Sequence, residues 1–328
     1  MKNIIGFTTA LVALLVAVPQ ATAQSQLEDK LKSALKRYPE ADTNKDGVLS
    51  IAEARAFRAK RKGNKSAASN GSRPIDSVRR EQPDNFQNGA SCLFLGHSFF
   101  IPVAKRFDEI ATATGLSQHQ ASFVMNGGGG GAPGRIWSSE SHRAAATQIL
   151  ETGNVHLLGM TYYDETNCRV EDYERWIDLA VKHNPKVRIF IGLCWPDAPQ
   201  ASMQEFDNMI ELSGNRLFRT VQTLRKRHPD TPIQFVHYGH VARELKAAHA
   251  SGRSSEIAAL ISRKPGGLFR DTKGHAGELL LDVAALTWLE QLYGVDMNKA
   301  KTDAVQSESA RAILPVVAKR NLAYQNTK

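Results

Sequence analysis

The sequence predicts an α/β protein of three layers, in which helices cover both faces of a parallel sheet. Between residues 91 and 294, five short apolar runs alternate with segments whose apolar residues recur at helical spacing. The runs are apolar at successive positions, as expected of strands that are buried on both faces. The chain has 328 residues, of which 42% are hydrophobic. This content is sufficient for a large core and excludes a largely disordered chain.

The predicted strands and helices follow one another in regular order. Strands are expected at residues 92–95, 122–125, 155–160, 187–193 and 233–238. Helices are expected at residues 103–114, 141–150, 170–183 and 203–227. Single strands separated by helices are typical of βαβ units, which place parallel strands side by side.

The first 23 residues have the pattern of a secretory signal peptide. Lys2 provides a positive start, residues 4–18 are almost wholly apolar, and small residues at 21–23 permit cleavage. The apolar run is shorter than the ~20 residues of a membrane-spanning helix. We therefore expect cleavage after Ala23 and a secreted or periplasmic protein without a membrane span. An uncleaved anchor is the alternative.

Composition divides the chain into five segments. The signal peptide at 1–23 precedes a helix–loop–helix at 24–64, a linker at 65–89, the α/β domain at 90–296 and a basic tail at 297–328. Part of the tail, residues 312–318, is apolar enough to dock. The net charge of +9 predicts a solvated basic face or attraction to an anionic surface, and we expect no nucleic-acid partner.

Oxygen-bearing side chains recur within the predicted helix–loop–helix, and match the twelve-residue calcium loop of an EF-hand. The expected ligands are Asp42, Asn44, Asp46, Val48 (by its carbonyl), Ser50 and Glu53. Gly47 permits the sharp turn, and Leu49 is the apolar residue expected at position 8. Because the loop is single and Ca²⁺ is a hard ion, we expect a weak site that is structural rather than catalytic.

The three cysteines are too few for a disulfide framework in a chain of this length. Cys92 lies in an apolar run and is expected to be buried. Export permits a disulfide, so Cys168 and Cys194 could pair if the fold brings them together.

A serine directly follows the first predicted strand, in Gly96-His97-Ser98. Its hydroxyl would lie at the carboxyl edge of the sheet, where such folds bind ligands. The next helix would begin there with free N–H groups that favour a developing oxyanion. Asp271 and His275 share a loop before the last helix of the domain, and could supply the base and the carboxylate that a serine nucleophile needs. The alternatives are that Ser98 only caps the helix and that Asp271 and His275 lie in a surface turn.

These features resemble the SGNH, or GDSL-like, hydrolase family over about residues 90–294. The Gly-x-Ser, the glycine-rich loop at 126–131 and the Asp/His pair carry the resemblance. The family implies a three-layer α/β/α esterase with a five-stranded parallel sheet of flavodoxin-like order. By position, Ser98 is the nucleophile, His275 the base and Asp271 the carboxylate that orients it. The oxyanion donors implied are the N–H of Ser98 and that of Gly127 or Gly128.

Three positions depart from the family's pattern. His97 stands where the family has Asp, and its side chain is expected to point away from the nucleophile. Three residues rather than two separate Asp271 from His275. The third conserved block of the family has no Asn here, and the substitutes considered for that donor are Thr161, Tyr162 and Asn167. Without a substitute the oxyanion hole has one donor fewer, a loss that typically costs ~10²–10³ in rate.

Two other motifs suggest different chemistry. Residues 129–134 have the spacing of a dinucleotide-binding loop, but Pro133 interrupts it and no acidic residue ends the following strand. His237 and His240 follow the fifth strand and could join His97 in a metal site. The spacing of these histidines favours structural roles instead.

The sequence therefore predicts an exported serine esterase that acts on short acyl esters such as acetyl groups. An acylated polysaccharide is the preferred substrate, by export and by resemblance to the family. The alternative is a non-catalytic protein of the same fold that binds carbohydrate or a surface partner. Residues 195–197, after the fourth strand, are expected to form the rim of a substrate pocket or to pack beneath it.

Overall fold

The computed structural model describes residues 35–36, 39–43, 46–49, 86, 88–163, 168–297 and 306–325. These residues belong to two compact units, and the boundary between the units in the sequence falls between Ser69 and Asn70. In the first unit a short 3-10 turn spans Pro39–Ala41. The predicted signal peptide and most of the predicted linker lie outside the described residues, so the boundaries of these two segments stay predictions.

A five-stranded parallel sheet forms the centre of the second unit. Its strands are β1 (Ser91–Gly96), β2 (Gln120–Met125), β3 (Leu157–Thr161), β4 (Arg188–Leu193) and β5 (Ile233–His237). Their order across the sheet is β2-β1-β3-β4-β5, and all four neighbouring pairs are parallel. The predicted fold class and strand order are confirmed.

Helices cover both faces of this sheet. They are α1 (Ile101–Ala113), α2 (Pro133–Ser138), α3 (Glu140–Glu151), α4 (Val170–His183), α5 (Met203–Arg227), α6 (Gly239–Ala250), α7 (Glu278–Tyr293) and α8 (Glu308–Gln325). One apolar cluster joins the sheet to α1, α6, α7 and α8, and the other joins it to α2, α3 and α4. The side chains of α5 enter both clusters. No described helix combines the length and the apolarity required to cross a membrane.

The alternation of side chains along β1 explains why residues 92–95 of this strand are all apolar. Cys92 and Phe94 enter one cluster, whereas Leu93 and Leu95 enter the other. All six residues of the strand are buried. Because successive side chains of a strand point to opposite faces, a strand covered on both faces needs apolar residues at every position.

Helices α2 and α6 were not predicted from the sequence, and neither was a short parallel pair, β6 (Ala259–Ile261) with β7 (Gly267–Phe269). The strands of this pair are three residues each, too short to show a period of two.

Helix α8 lies within the predicted basic tail at 297–328. Its buried residues include Ala310, Leu314 and Val317, which belong to the main apolar cluster. Asn321 is also buried: its Oδ1 accepts the N–H of His237 at 2.8 Å, and its Nδ2 donates to the His237 carbonyl at 3.3 Å. The α/β unit therefore continues beyond residue 296 and includes this helix.

Candidate active site

Ser98 lies in a tight turn between the carboxyl end of β1 and the start of α1. The N–H groups of Phe100 and Ile101 both donate to the carbonyl of His97, at 3.0 and 2.9 Å. This turn places the half-buried Ser98 at the edge of the sheet, beside the amino terminus of α1. The predicted position of the serine hydroxyl is therefore the one observed.

Asp271, His275 and Ser98 form a continuous series of hydrogen bonds. Nε2 of His275 lies 3.0 Å from Oγ of Ser98, and Nδ1 lies 2.7 Å from Oδ2 of Asp271. The other carboxylate oxygen, Oδ1, accepts the backbone N–H groups of Lys273 and His275 at 3.0 and 3.2 Å. The three intervening residues thus form a turn around the carboxylate, and the unusual spacing still brings the pair together.

The charge of Asp271 determines which nitrogen of His275 carries the proton. Burial acts to raise the pKa of the Asp271 carboxyl, but hydrogen bonds from the side chain and backbone of His275 lower it below its usual value. The carboxylate is therefore ionised at neutral pH and accepts a hydrogen bond from Nδ1–H of His275. In the neutral imidazole, Nε2 is then free to accept the hydroxyl proton of Ser98.

Trp195 supports the loop that carries His275. Its indole Nε1–H donates to the carbonyl of Gly274 at 2.8 Å, and its ring stacks on Phe99 with centroids 5.7 Å apart. The Phe99 ring in turn meets the His275 ring edge to face at 5.1 Å. The indole is only 2% exposed, so Trp195 packs beneath the site as well as lining its cavity.

The glycine-rich loop after β2 approaches Ser98 from the other side. The N–H of Gly127 donates to Oδ1 of Asn126 at 2.9 Å, whereas Gly128 lines the cavity with Ser98. Gly128 has a φ of +52°, which glycine adopts without strain. A Cβ at Gly131 would lie 2.5 Å from the Cβ of His97. Glycine there lets the loop pack directly on the turn that holds the serine.

Thr161 is not placed to serve as the missing oxyanion donor. It is fully buried, and its Oγ1 lies 3.0 Å from Nε2 of His97. The N–H of Phe99 donates to Nδ1 of His97 at 3.1 Å, so the ring proton is on Nε2 and donates to Thr161. The threonine hydroxyl then donates to the Tyr162 carbonyl at 3.3 Å. The hydroxyl of Thr161 thus already accepts one hydrogen bond and donates another. The expectation that Thr161 supplies the missing oxyanion donor is therefore wrong.

The two other substitutes for this donor have different outcomes. Tyr162 lines the cavity, but its N–H donates to the Gly192 carbonyl at 2.7 Å as part of the sheet. Asn167 lies outside the described residues. Of the residues whose backbone N–H groups are expected to hold the oxyanion, Ser98 and Gly128 line the cavity.

A cavity of about 370 Å³ opens beside the serine hydroxyl. Its wall comprises His97, Ser98, Phe99, Gly128, Tyr162, Tyr163, Leu193, Cys194, Trp195, Pro196, Asp197, Met209, Ile210 and Ser213. Aromatic and aliphatic side chains alternate there with polar groups, as in pockets that bind small organic molecules.

The disulfide and the histidine metal site that the sequence left open are not formed among the described residues. All three cysteines are free, so the pairing considered for Cys168 and Cys194 is not formed. The rings of His237 and His240 stack 4.0 Å apart between centroids, while His97 bonds to β3 instead. Among the described residues, no three His, Cys, Asp or Glu side chains are arranged to hold a metal.

Part of the predicted calcium loop is described in the first unit. The N–H of Gly47 donates to Oδ2 of Asp42 at 2.9 Å, and that of Val48 donates to Oδ1 of Asp46 at 2.8 Å. Gly47 has a φ of +80°, and Leu49 is buried. Two carboxylates on a tight turn have the donor chemistry that Ca²⁺ prefers. The other predicted ligands, Asn44, Ser50 and Glu53, lie outside the described residues.

Comparisons with known proteins give distant structural similarity alone. No family model matches the chain, and no curated protein matches it. Five chains of solved structures match, among them the periplasmic domain of a lipopolysaccharide acetyltransferase from Salmonella ser. Paratyphi A. That domain is 12% identical, has a TM-score of 0.32, and the match covers 48% of this chain and 69% of that one.

We predict that acidification destabilises the fold before the carboxylates titrate. Burial lowers the pKa of His97 and His237 from 6.5 to about 4, and that of His240 to about 2. The unfolded chain binds protons at these positions below pH ~6.5, whereas the folded chain does not. The free energy of unfolding should therefore fall between pH ~6.5 and ~4.5, by roughly 1–3 kcal/mol per histidine.

Urea unfolding at several pH values measures this dependence. His240→Gln should flatten the slope, and His142→Gln, which removes a partly exposed histidine, should leave it unchanged. A free energy of unfolding that is constant from pH 7 to 4.5 would contradict the prediction.

Proposed function

We propose that this protein is a serine esterase that hydrolyses acyl esters through Ser98, His275 and Asp271. The observation that carries the proposal is the hydrogen-bonded series from Asp271 through His275 to Ser98, at 2.7 and 3.0 Å. It opens onto a cavity that has room for a substrate. A nucleophile, a base and an orienting carboxylate in this geometry are the parts that acyl transfer requires.

In the proposed reaction, Nε2 of His275 takes the hydroxyl proton while Oγ of Ser98 attacks the acyl carbon. Asp271 stabilises the imidazolium that forms. The imidazolium gives its proton to the departing alcohol, which leaves an acyl group on the serine. Water then attacks this acyl-enzyme with His275 again as the base, and the carboxylic acid is released.

The oxyanion is held by backbone groups in this proposal. The N–H of Ser98 lies in the turn that precedes α1, beside the helix amino terminus and its positive potential, and Gly128 lines the same cavity. Gly128 is favoured over Gly127, whose N–H donates to Asn126. With the hydroxyl of Thr161 engaged by His97, we expect two donors and a correspondingly modest rate.

Short acyl groups on an exported polysaccharide are the proposed substrates. The predicted signal peptide would deliver the protein to the periplasm or the medium, where such polymers are found. The alternative function is a carbohydrate-binding protein of the same fold. The occupied hydroxyl of Thr161 favours that alternative, and the intact series of hydrogen bonds at Ser98 favours the enzyme.

We expect hydrolysis of nitrophenyl acetate to depend on the serine and the histidine. Ser98→Ala and His275→Ala should each lower kcat/KM by about 10³-fold or more, because each removes a group that acts in the transition state. Ser213→Ala, in the same cavity, and His142→Ala are matched controls that should retain most of the activity.

Equal rates in wild type and in both variants would contradict the esterase. Binding of acetylated glycans by the wild-type chain would then be the measurement that supports the carbohydrate-binding alternative.

Trp195→Phe should lower kcat about fivefold with little change in KM. The variant keeps an aromatic ring on Phe99 but loses the N–H bond to Gly274, a bond expected to contribute ~1 kcal/mol. Trp288→Phe is the matched control, since Trp288 is equally buried and its Nε1 has no hydrogen-bond partner among the described residues. Both variants should have a lower melting temperature than wild type. An equal loss of kcat in both variants would refute a positioning role for Trp195.

We also propose that residues 42–53 bind Ca²⁺ as a structural ion. The ion would be held by Asp42, Asn44, Asp46, Val48, Ser50 and Glu53, and when bound it would neutralise the carboxylates and order the loop. No step of the esterase reaction is assigned to it.

Calcium at 10 mM should raise the melting temperature of the wild-type chain. For a Kd on the order of 1 mM the stabilisation is about 1.4 kcal/mol. Glu53→Gln should abolish this shift, whereas Glu40→Gln, outside the loop, should preserve it. An unchanged esterase rate per folded molecule is expected after calcium removal. Equal calcium shifts in both variants would contradict the site.

A further inference from the structure

A second cavity, of about 640 Å³, lies at the opposite edge of the sheet from Ser98. It is found where β4 and β5 begin, with Arg188 and Ile233 in its wall. Arg225 and Gln291 also line it. None of the described residues that form this wall is acidic, so the cavity is rich in hydrogen-bond donors and carries positive charge.

The two arginines of this cavity are half-buried, and neither has a carboxylate partner among the described residues. Nε of Arg225 donates to the Ile233 carbonyl at 2.8 Å. The guanidinium of Arg188 lies over the ring of Phe86, 4.4 Å from its centroid. The stacked ring holds this guanidinium in place but provides no negative charge.

Arg243 is a half-buried arginine elsewhere in the chain, and unlike Arg188 and Arg225 it has a carboxylate partner. Its guanidinium binds Asp207 through two hydrogen bonds of 2.8 and 2.9 Å, and these raise its pKa. Burial instead lowers the pKa of both Arg188 and Arg225. A partly desolvated cation without a counter-ion is unfavourable, so an anion in the cavity would stabilise both side chains.

Gln291 adds a neutral group to the same wall. Both Nε2 and Oε1 of its amide are buried and have no hydrogen-bond partner among the described residues. His228 also lines the cavity, but Glu174 and Asp178 approach its ring from α4, at 3.6 and 3.8 Å. The positive charge available to a ligand therefore comes from the two arginines.

We propose that this cavity binds a small oxyanion between Arg188 and Arg225, with the Gln291 amide as a neutral donor. Guanidinium groups bind phosphate, sulfate and carboxylate through parallel N–H bonds. Because the cavity lies at the amino ends of the strands, its ligand does not compete with a substrate at Ser98.

Isothermal titration calorimetry with inorganic phosphate tests the site in the full chain. Ionic strength is held constant with sodium chloride, so that a general salt effect does not register as binding. Wild type should bind phosphate saturably, and Arg188→Met and Arg225→Met should each weaken binding about tenfold or more. Arg135→Met removes an exposed arginine outside the cavity and should leave the Kd unchanged. A parallel titration with citrate shows whether carboxylates bind better than phosphate.

Equal affinities in wild type and the two cavity variants would overturn the proposal. The absence of both phosphate and citrate binding in wild type would overturn it as well. If Arg188→Met fails to fold after losing its contact with Phe86, the result for Arg225→Met decides. Ser98→Ala should bind phosphate as wild type does, and loss of binding in that variant would place the anion at the esterase site instead.

Discussion

The hydrogen bond from His97 to Thr161 is the interaction on which the candidate active site depends. It joins the turn after β1 to the end of β3, inside the protein, where the imidazole is 6% exposed. The same ring accepts the N–H of Phe99, so one side chain determines the path of the backbone on both sides of Ser98. The serine is thereby held by two strands of the sheet, although it lies in a loop.

This arrangement requires two neighbouring histidines to behave differently. Burial and the nearby His275 lower the pKa of His97 to about 4, so His97 stays neutral and keeps its two bonds. His275 lies beside the ionised Asp271, which stabilises an imidazolium during the proposed reaction. A proton that passes between Ser98 and His275 therefore leaves the supporting histidine unchanged. The site separates the group that holds the turn from the group that moves protons.

Much of the fold could be predicted from the sequence, because the strands are buried on both faces and consist mainly of apolar residues. The pairing of Ser98 with Asp271 and His275 was proposed from loop positions at one edge of a parallel sheet. The engagement of Thr161 was not predictable, since it depends on a histidine 64 residues away in the chain. Helix α8 was not predicted because its apolar residues form a narrow face among charged residues. The contacts of this face with the core identify it as part of the domain.

Asn321 has a consequence for how this molecule behaves in a concentrated solution. Strand β5 ends the sheet, and the terminal strand of a sheet offers its backbone to any other chain that can add a strand. The amide of Asn321 occupies the N–H and carbonyl of His237 as a neighbouring strand would. Helix α8 thus satisfies the backbone at one end of an open edge, where an added strand could not pair with His237.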